Sequence, residues 1–296
     1  MIRMRGNRTT GEMIFDWSNV LVMLAICFLT IYPIWYVVVN SFNEGQDAMR
    51  GGIYWYPRAF SLDNYVAVFR NGGLMKAMGV TVSKTVIGTA LHVLFTAMVA
   101  YAVSRKELIG RTLYMYMGTV TLFFGGGLIP YYLLIRDLGL LDSFWVYIIP
   151  AMFSFFDLII FLAFFREIPE GMEEAAKIDG ANDLKIFYRI VLPVSMPVVA
   201  TIALFHGVYQ WNDYFTAVIF TNNADLQPIQ TFLYRIVALS GSNQIAAAVP
   251  ENIVRKVTSQ SVKLATMVVT TVPIVIAYPF LQKYFVKGFM IGSIKG

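Results

Sequence analysis

The chain has 296 residues, of which 57% are hydrophobic and 14% charged, well below the roughly 25% charged share of a soluble domain. That composition argues against a water-soluble enzyme, and the formal net charge of +5 comes from sparse cations between long apolar runs, a topology signal rather than a nucleic-acid footprint. The one cysteine, Cys27, lies inside an apolar run, so no disulfide framework can form within the chain.

A bilayer crossing takes about 20 mostly apolar residues, and they must be helical because lipid offers backbone groups no other partner. Six segments qualify: 17–43, 85–104, 112–135, 143–165, 190–212 and 264–282. The first is too long for a signal-peptide core and lacks a small-residue cleavage site, so it is expected to be retained. Gly125, Gly126 and Gly127 with Pro130 break the third, as a hinge or a close helix contact, and Asp157 interrupts the fourth. With the N-terminus inside, the inner segments carry thirteen Lys and Arg against eight on the longer outer segments, about a twofold difference in density that favours both termini on the cytoplasmic side. The expected fold is an all-α integral membrane protein with six transmembrane helices. A cytoplasmic segment, 1–16, precedes a single transmembrane domain, 17–296, with a peripheral first helix, core helices over about 78–285 and a tail, 284–296.

The inner connection 166–193 is the most informative stretch. Pro169 suits the first turn of a helix. Met172, Ala175 and Ala176 share one small apolar face, and Gly180 ends or turns that helix. A second short helix places Leu184, Phe187, Tyr188 and Val191 on one stripe, and Pro193 marks entry to the fifth span. A helix lying in lipid headgroups is usually rich in Lys and Arg; this one carries Glu170, Glu173 and Glu174 against one lysine. A small-residue face flanked by acids suits docking into a basic protein pocket.

The run Glu174-Ala175-Ala176, then Asp179-Gly180-Ala181, then Ile190-Val191-Leu192-Pro193 resembles the EAA loop of the permease subunits of bacterial ABC importers. The stretches 60–69, 126–130, 210–215 and 278–296 resemble the carbohydrate branch, that of the smaller maltose permease subunit. The Gly-Gly-Leu-Ile-Pro segment and the tail are closest to the oligo- and polysaccharide importers that include the alginate system. The resemblance implies a type I importer fold in the bacterial inner membrane and an oligosaccharide or polysaccharide, alginate-like, as cargo. It implies a second permease, two ATPase subunits that use ATP and Mg, and an extracytoplasmic solute-binding protein, with no cofactor bound by this chain itself. It assigns the ATPase-coupling role to Glu173, Glu174, Ala175, Ala176, Asp179, Gly180, Ile190, Leu192 and Pro193. It also directs the long outer connection, 221–261, toward the solute-binding protein and the tail toward the ATPase pair.

Ionisable groups within a span are functional candidates. His206, Gln210 and Asp213 form a polar stripe on the fifth span, either lining a translocation path or forming an interhelical hydrogen-bond seam. Asp157 is expected to have a structural partner, Lys84 to snorkel to the outer surface, and His92 to pack. No phosphate-binding loop, catalytic constellation or Cys/His metal cluster is present in the sequence, so the energy for transport must come from a partner. The alternative, a secondary transporter for a small polar solute, calls for mirrored broken helices in two halves and midplane acids. Only His206 falls near the midplane, and no second half mirrors the first.

Overall fold

The structure, a computed structural model, describes residues 9–70, 72–238 and 257–291, the side chains of 170, 236–238, 277, 278 and 280–291 excepted. Residues 1–8 of the N-terminal segment, 239–256 of the long outer connection and 292–296 of the tail lie outside the described residues. The described chain is helical, and its one β feature is an isolated antiparallel bridge between Asn43 and Phe60. It divides into two compact units, 1–71 with 239–269, and 72–238 with 270–296.

In the first unit α1 (Thr10–Ser41) begins with a capping box. The Thr9 hydroxyl accepts from the Glu12 main chain, and the Glu12 carboxylate accepts from the Thr9 amide at 2.9 Å, so two otherwise unpaired amides are satisfied. Its 32 residues extend about 48 Å, more than the ~30 Å hydrocarbon layer. The helix is apolar on all sides and open along most of its length, with burial only at Val39, Asn40 and Ser41, as lipid contact requires. Two short helices follow, α2 (Gly45–Met49) and α3 (Asp63–Arg70). Asn64 ties α3 to the end of α1 by donating to the main-chain oxygens of Ser41 and Asn43 at 2.9 and 2.7 Å. Arg58 donates from Nε to both Asp47 oxygens at 3.0 Å, and with Asn43 it holds the Asp47 carboxyl below the usual carboxylate range. The Trp35 indole donates to the Trp55 carbonyl at 3.0 Å beside the rings of Phe28 and Tyr32, an arrangement suited to the membrane–water boundary.

The second unit is built on α4 (Gly72–Ser104), a 33-residue helix. Next come α5 (Arg111–Phe123) and α6 (Leu128–Asp137), bent by 120° from each other across the glycine run. Gly127 caps α6 at φ +82°, a conformation that favours glycine. The expected third span is therefore two helices rather than one straight rod. The expected fourth is divided as well: a 3-10 turn, Phe144–Tyr147, precedes α7 (Phe155–Phe165), only 11 residues long. Pro150 between them has no amide to continue a helix and pushes its predecessor toward extended backbone. The Ser154 hydroxyl then opens α7 by accepting from the Asp157 amide at 3.2 Å.

The inner connection forms α8 (Glu170–Ile178) and α9 (Asp183–Ile186), then a π-helical turn, Phe187–Val191, and α10 (Leu192–Val194). The chain bends by 81° into α11 (Met196–Asn212), with Pro193 and Pro197 flanking the bend. Two shorter helices, α12 (Phe215–Phe220) and α13 (Ile229–Ala238), follow. The last helix, α14 (Ser259–Ile291), continues past the expected end of the sixth span at 282. The core of the second unit joins Val93, Ala97 and Ala100 of α4 to Leu158, Phe161 and Phe165 of α7, Ile202 of α11, and Ile186, Phe187 and Val191 of the inner connection. Among the described residues three helices are long and apolar enough to cross a bilayer alone, and the two bent pairs raise the number to five.

Candidate functional site

Two sets of residues carry the chemistry, both in the second unit. The first is the inner connection. Pro169 precedes α8, and Gly180, at φ +75°, ends it. The Gly180 and Ala181 amides donate back to Lys177 and Ala176 carbonyls at 3.0 and 2.9 Å, so the helix end is closed before Asn182 caps α9 through the Lys185 amide at 2.9 Å. The helix has two distinct faces. Ala176 packs on the core, and Glu173 turns inward to receive a hydrogen bond from Arg105, at the end of α4. The Arg105 guanidinium lies over the Tyr101 ring, 4.1 Å from its centroid. Outward stand Glu174, Ala175, Lys177, half-open Met172 and Ile178, the last 86% exposed. The open apolar ridge is thus Met172, Ala175 and Ile178, and Ala176 belongs to the opposite face. Between α8 and the loop after α4 lies a cavity of about 370 Å³ bordered by Arg105, Arg111, Arg166, Glu173 and Glu174.

The second helix of the connection also departs from its expected stripe. Phe187 and Val191 are buried, but Leu184 and Tyr188 are exposed, and Ile186 and partly Ile190 complete the buried face. A π turn at 187–191 widens the local repeat beyond 3.6 residues and shifts the side chains that follow its start, Tyr188 among them, while Leu184 lies ahead of it on the exposed side of α9. Leu192 packs on the core, and Pro193 is exposed at the bend.

The second set is a buried polar seam along α4. Thr81, Lys84, Gly88, His92 and Thr96 recur at three- or four-residue spacing, and all are buried. Thr81 accepts the Ile229 amide at 2.8 Å, fixing the start of α13. Lys84 is fully buried. Its ammonium donates to the Asp213 carbonyl at 2.8 Å and to its carboxylate at 3.1 Å, and lies 4.9 Å from the centre of the Tyr147 ring. Gln210 donates to the Tyr147 carbonyl at 2.9 Å, and a Cβ on Gly88 would stand 3.0 Å from its amide nitrogen. Glycine there lets α4 and α11 approach. His92 bonds the Ala151 carbonyl through Nδ1 at 2.8 Å and the Asp157 carboxyl through Nε2 at 2.9 Å, and its ring stacks on that of His206 at 3.8 Å.

His206, Gln210 and Asp213 of the expected stripe therefore each meet α4 or the 3-10 turn before α7. Lys84 does not snorkel. Its partner Asp213 sits at the end of α11, where the amide of Thr216 also bonds the carboxylate at 3.1 Å. His92 is more than packing, and Asp157 has the partner expected of it. Reading α4 by periodicity would have found these residues: Lys84, Gly88, His92 and Thr96 are four apart, and four polar or small side chains on one face of an apolar helix mark a helix contact. The Arg105–Glu173 pair spans 68 residues of sequence, and nothing local announces it.

Residues 11–291 match the family described as the binding-protein-dependent transport system inner membrane component. The chain belongs to that family. It is thus a membrane component of a transport system, not a stand-alone ion-coupled carrier. Membership extends over full-length relatives. The chain is 40% identical over 290 residues to the polygalacturonan/rhamnogalacturonan transport system permease protein YtcP of Bacillus subtilis (strain 168), covering 96% of this chain and 99% of that one. It is 38% identical to protein LplC of the same organism, covering 98% of both. Among solved structures, a chain of a bacterial ABC transporter involved in the import of the acidic polysaccharide alginate superimposes with a TM-score of 0.89 at 30% identity, over 95% of this chain and 99% of that one.

Proposed function

We propose that this chain is one of two permease subunits of an ATP-driven importer that moves an oligosaccharide or polysaccharide fragment into a bacterial cell. The full-length structural match to the alginate-transporter chain, TM-score 0.89 over 95% of this chain, carries the reading, and the identity to a pectic-polysaccharide permease supports it. A solute-binding protein delivers the sugar outside. Two ATPase subunits, which bind ATP and Mg, supply the energy inside, and this chain holds neither. It crosses the membrane six times, with α5–α6 as one bent crossing, residues 143–165 as another, residues 190–212 as a third and both termini cytoplasmic. The excess of Lys and Arg on the inner connections supports that orientation.

The inner connection couples the two processes. Glu173 to Ile178 project as a short helix whose base is fixed to the core by Ala176 and by the Arg105–Glu173 contact, while Met172, Glu174, Ala175 and Ile178 remain open for the ATPase. A rigid base is what lets movement of the ATPase pair bias the permease between outward- and inward-open states. Asp179 and Gly180 close the knob, and Ile190, Leu192 and Pro193 lead it into α11. Purifying the tagged chain from its own cells tests the assignment: an ATPase and a second permease should co-purify with it. Recovery of the chain alone, folded, would reject it.

A further inference from the structure

Beside the seam lies a cavity of about 560 Å³ that the coupling and ion-pair chemistry does not use. Its floor is polar, formed by His92, Asp157 and His206, and its rim is aromatic, with Phe156 62%, Phe205 55% and Tyr209 59% exposed. The floor is only partly consumed by internal bonds. His92 engages one Asp157 oxygen, Oδ2, at 2.9 Å, and Asp157 keeps 17% of its side chain open. Among the described residues, His206 meets Gln210 through Nε2 at a loose 3.4 Å. A carboxylate and an imidazole at membrane depth do not face lipid, because an ionisable group there belongs in a bundle interior or a water-filled path. The volume lies in the range of small-ligand pockets, and apolar aromatic walls with a few convergent polar atoms are their usual lining.

We infer that this cavity is a sugar-ring subsite on the translocation path. The inference rests on the importer reading and names the part of this chain that touches the cargo. A pyranose has two apolar C–H faces and a belt of hydroxyls. The Phe156, Phe205 and Tyr209 rings cover the faces, and the second Asp157 oxygen accepts a hydroxyl proton, as a carboxylate oxygen can. His206, through its Nδ1, and the Tyr209 hydroxyl complete the belt. Among the described residues the cavity is lined by an acid and two imidazoles but no lysine or arginine, and Lys84, two turns before His92 on α4, is spent on Asp213. The subsite therefore grips the ring and its hydroxyls, and the sugar carboxylates of an acidic polysaccharide are left to water.

The test uses the complete importer in proteoliposomes, with Cys27→Ser as background and Phe156→Cys as the reporter. The reagent is a small hydrophilic thiol label, and the probes are galacturonic acid trimer and alginate trimer. The label should react with Phe156→Cys, and the trimer that the importer carries should slow the reaction about tenfold when supplied with the binding protein. A cysteine that does not react places the cavity against lipid or dry protein and overturns the subsite. One that reacts at the same rate with and without sugar overturns it too. As a second reading independent of the reporter, Asp157→Asn should raise the half-saturating trimer concentration about tenfold, the size expected for one charge-assisted hydrogen bond, and lower the maximal rate by much less. Equal loss in both would mean a structural role only. Uptake of trimer by the background importer separates the two failures. If it transports neither trimer, the importer reading fails. If it transports one and the cysteine is unprotected, only the subsite fails.

Discussion

Lys84 shows how much depends on a single pair. Its side chain is fully buried and that of Asp213 is 8% exposed. Removing one partner leaves the other charge uncompensated in a low-dielectric interior, at a cost of about 3–5 kcal/mol. Lys84→Met should lower the thermal stability of the purified complex accordingly. Lys84→Met with Asp213→Leu should recover most of it but not all, because Asp213 also bonds the Thr216 amide, a cap that contributes about 1 kcal/mol. A double mutant as unstable as the single one would show that the pair is not the source. The same pair marks where residue-level reading reaches its limit. Asp157 was legible as a structural group, and the polar stripe on α11 was legible by spacing. Whether Lys84 reaches the surface or turns inward depends on where α11 ends, and that position is fixed by packing across 129 residues of sequence.

At the scale of elements, two glycines separate space from backbone conformation. A Cβ on Gly118 would fall 1.9 Å from the Phe155 ring, so Gly118→Ala should cost about 1–3 kcal/mol by overpacking, and Phe155→Val should recover part of it. Gly180 has open space around it but φ +75°, so Gly180→Ala should cost about 1–2 kcal/mol from the left-handed backbone alone, and no neighbouring truncation should restore it. Differential scanning fluorimetry of these variants distinguishes the two mechanisms. The two faces of α8 give a sharper contrast. Ala176→Trp enters the chain's own core and should destabilise the subunit before any partner is involved, while Ala175→Trp on the open face should leave the subunit folded and release the ATPase on co-purification. Retention of the ATPase by Ala175→Trp would place the docking surface elsewhere. Helix existence was readable from apolar length, and so were the glycine break before α6 and the stop at Gly180. The 120° and 81° bends and the π turn were not, because periodicity counts residues along an assumed regular helix and does not register a change of direction or repeat. That is why Tyr188, within the π turn, was expected on the buried stripe.

For the molecule as a whole, the sign of the inner and outer surfaces is a testable consequence of charge distribution. On a Cys27→Ser background, Ile109→Cys, 91% exposed in the connection after α4, should react with an impermeant thiol reagent only from the cytoplasmic side, and Leu138→Cys, 59% exposed after α6, only from outside. The reverse pattern would invert the topology. Family and class were legible in the sequence because the motif of the connection 166–193 is long and continuous along the chain. The buried seam was harder to read, since each of its contacts joins helices far apart in the chain. Uptake of oligosaccharide into proteoliposomes tests most directly the proposal that this chain is one of two membrane subunits of an ATP-driven carbohydrate importer. With the second permease, the ATPase pair and the loaded binding protein, accumulation of galacturonic acid or alginate oligomers should require ATP and fall to background with Ala175→Trp. Accumulation without ATP, or none of either oligomer by an assembled complex, would contradict it.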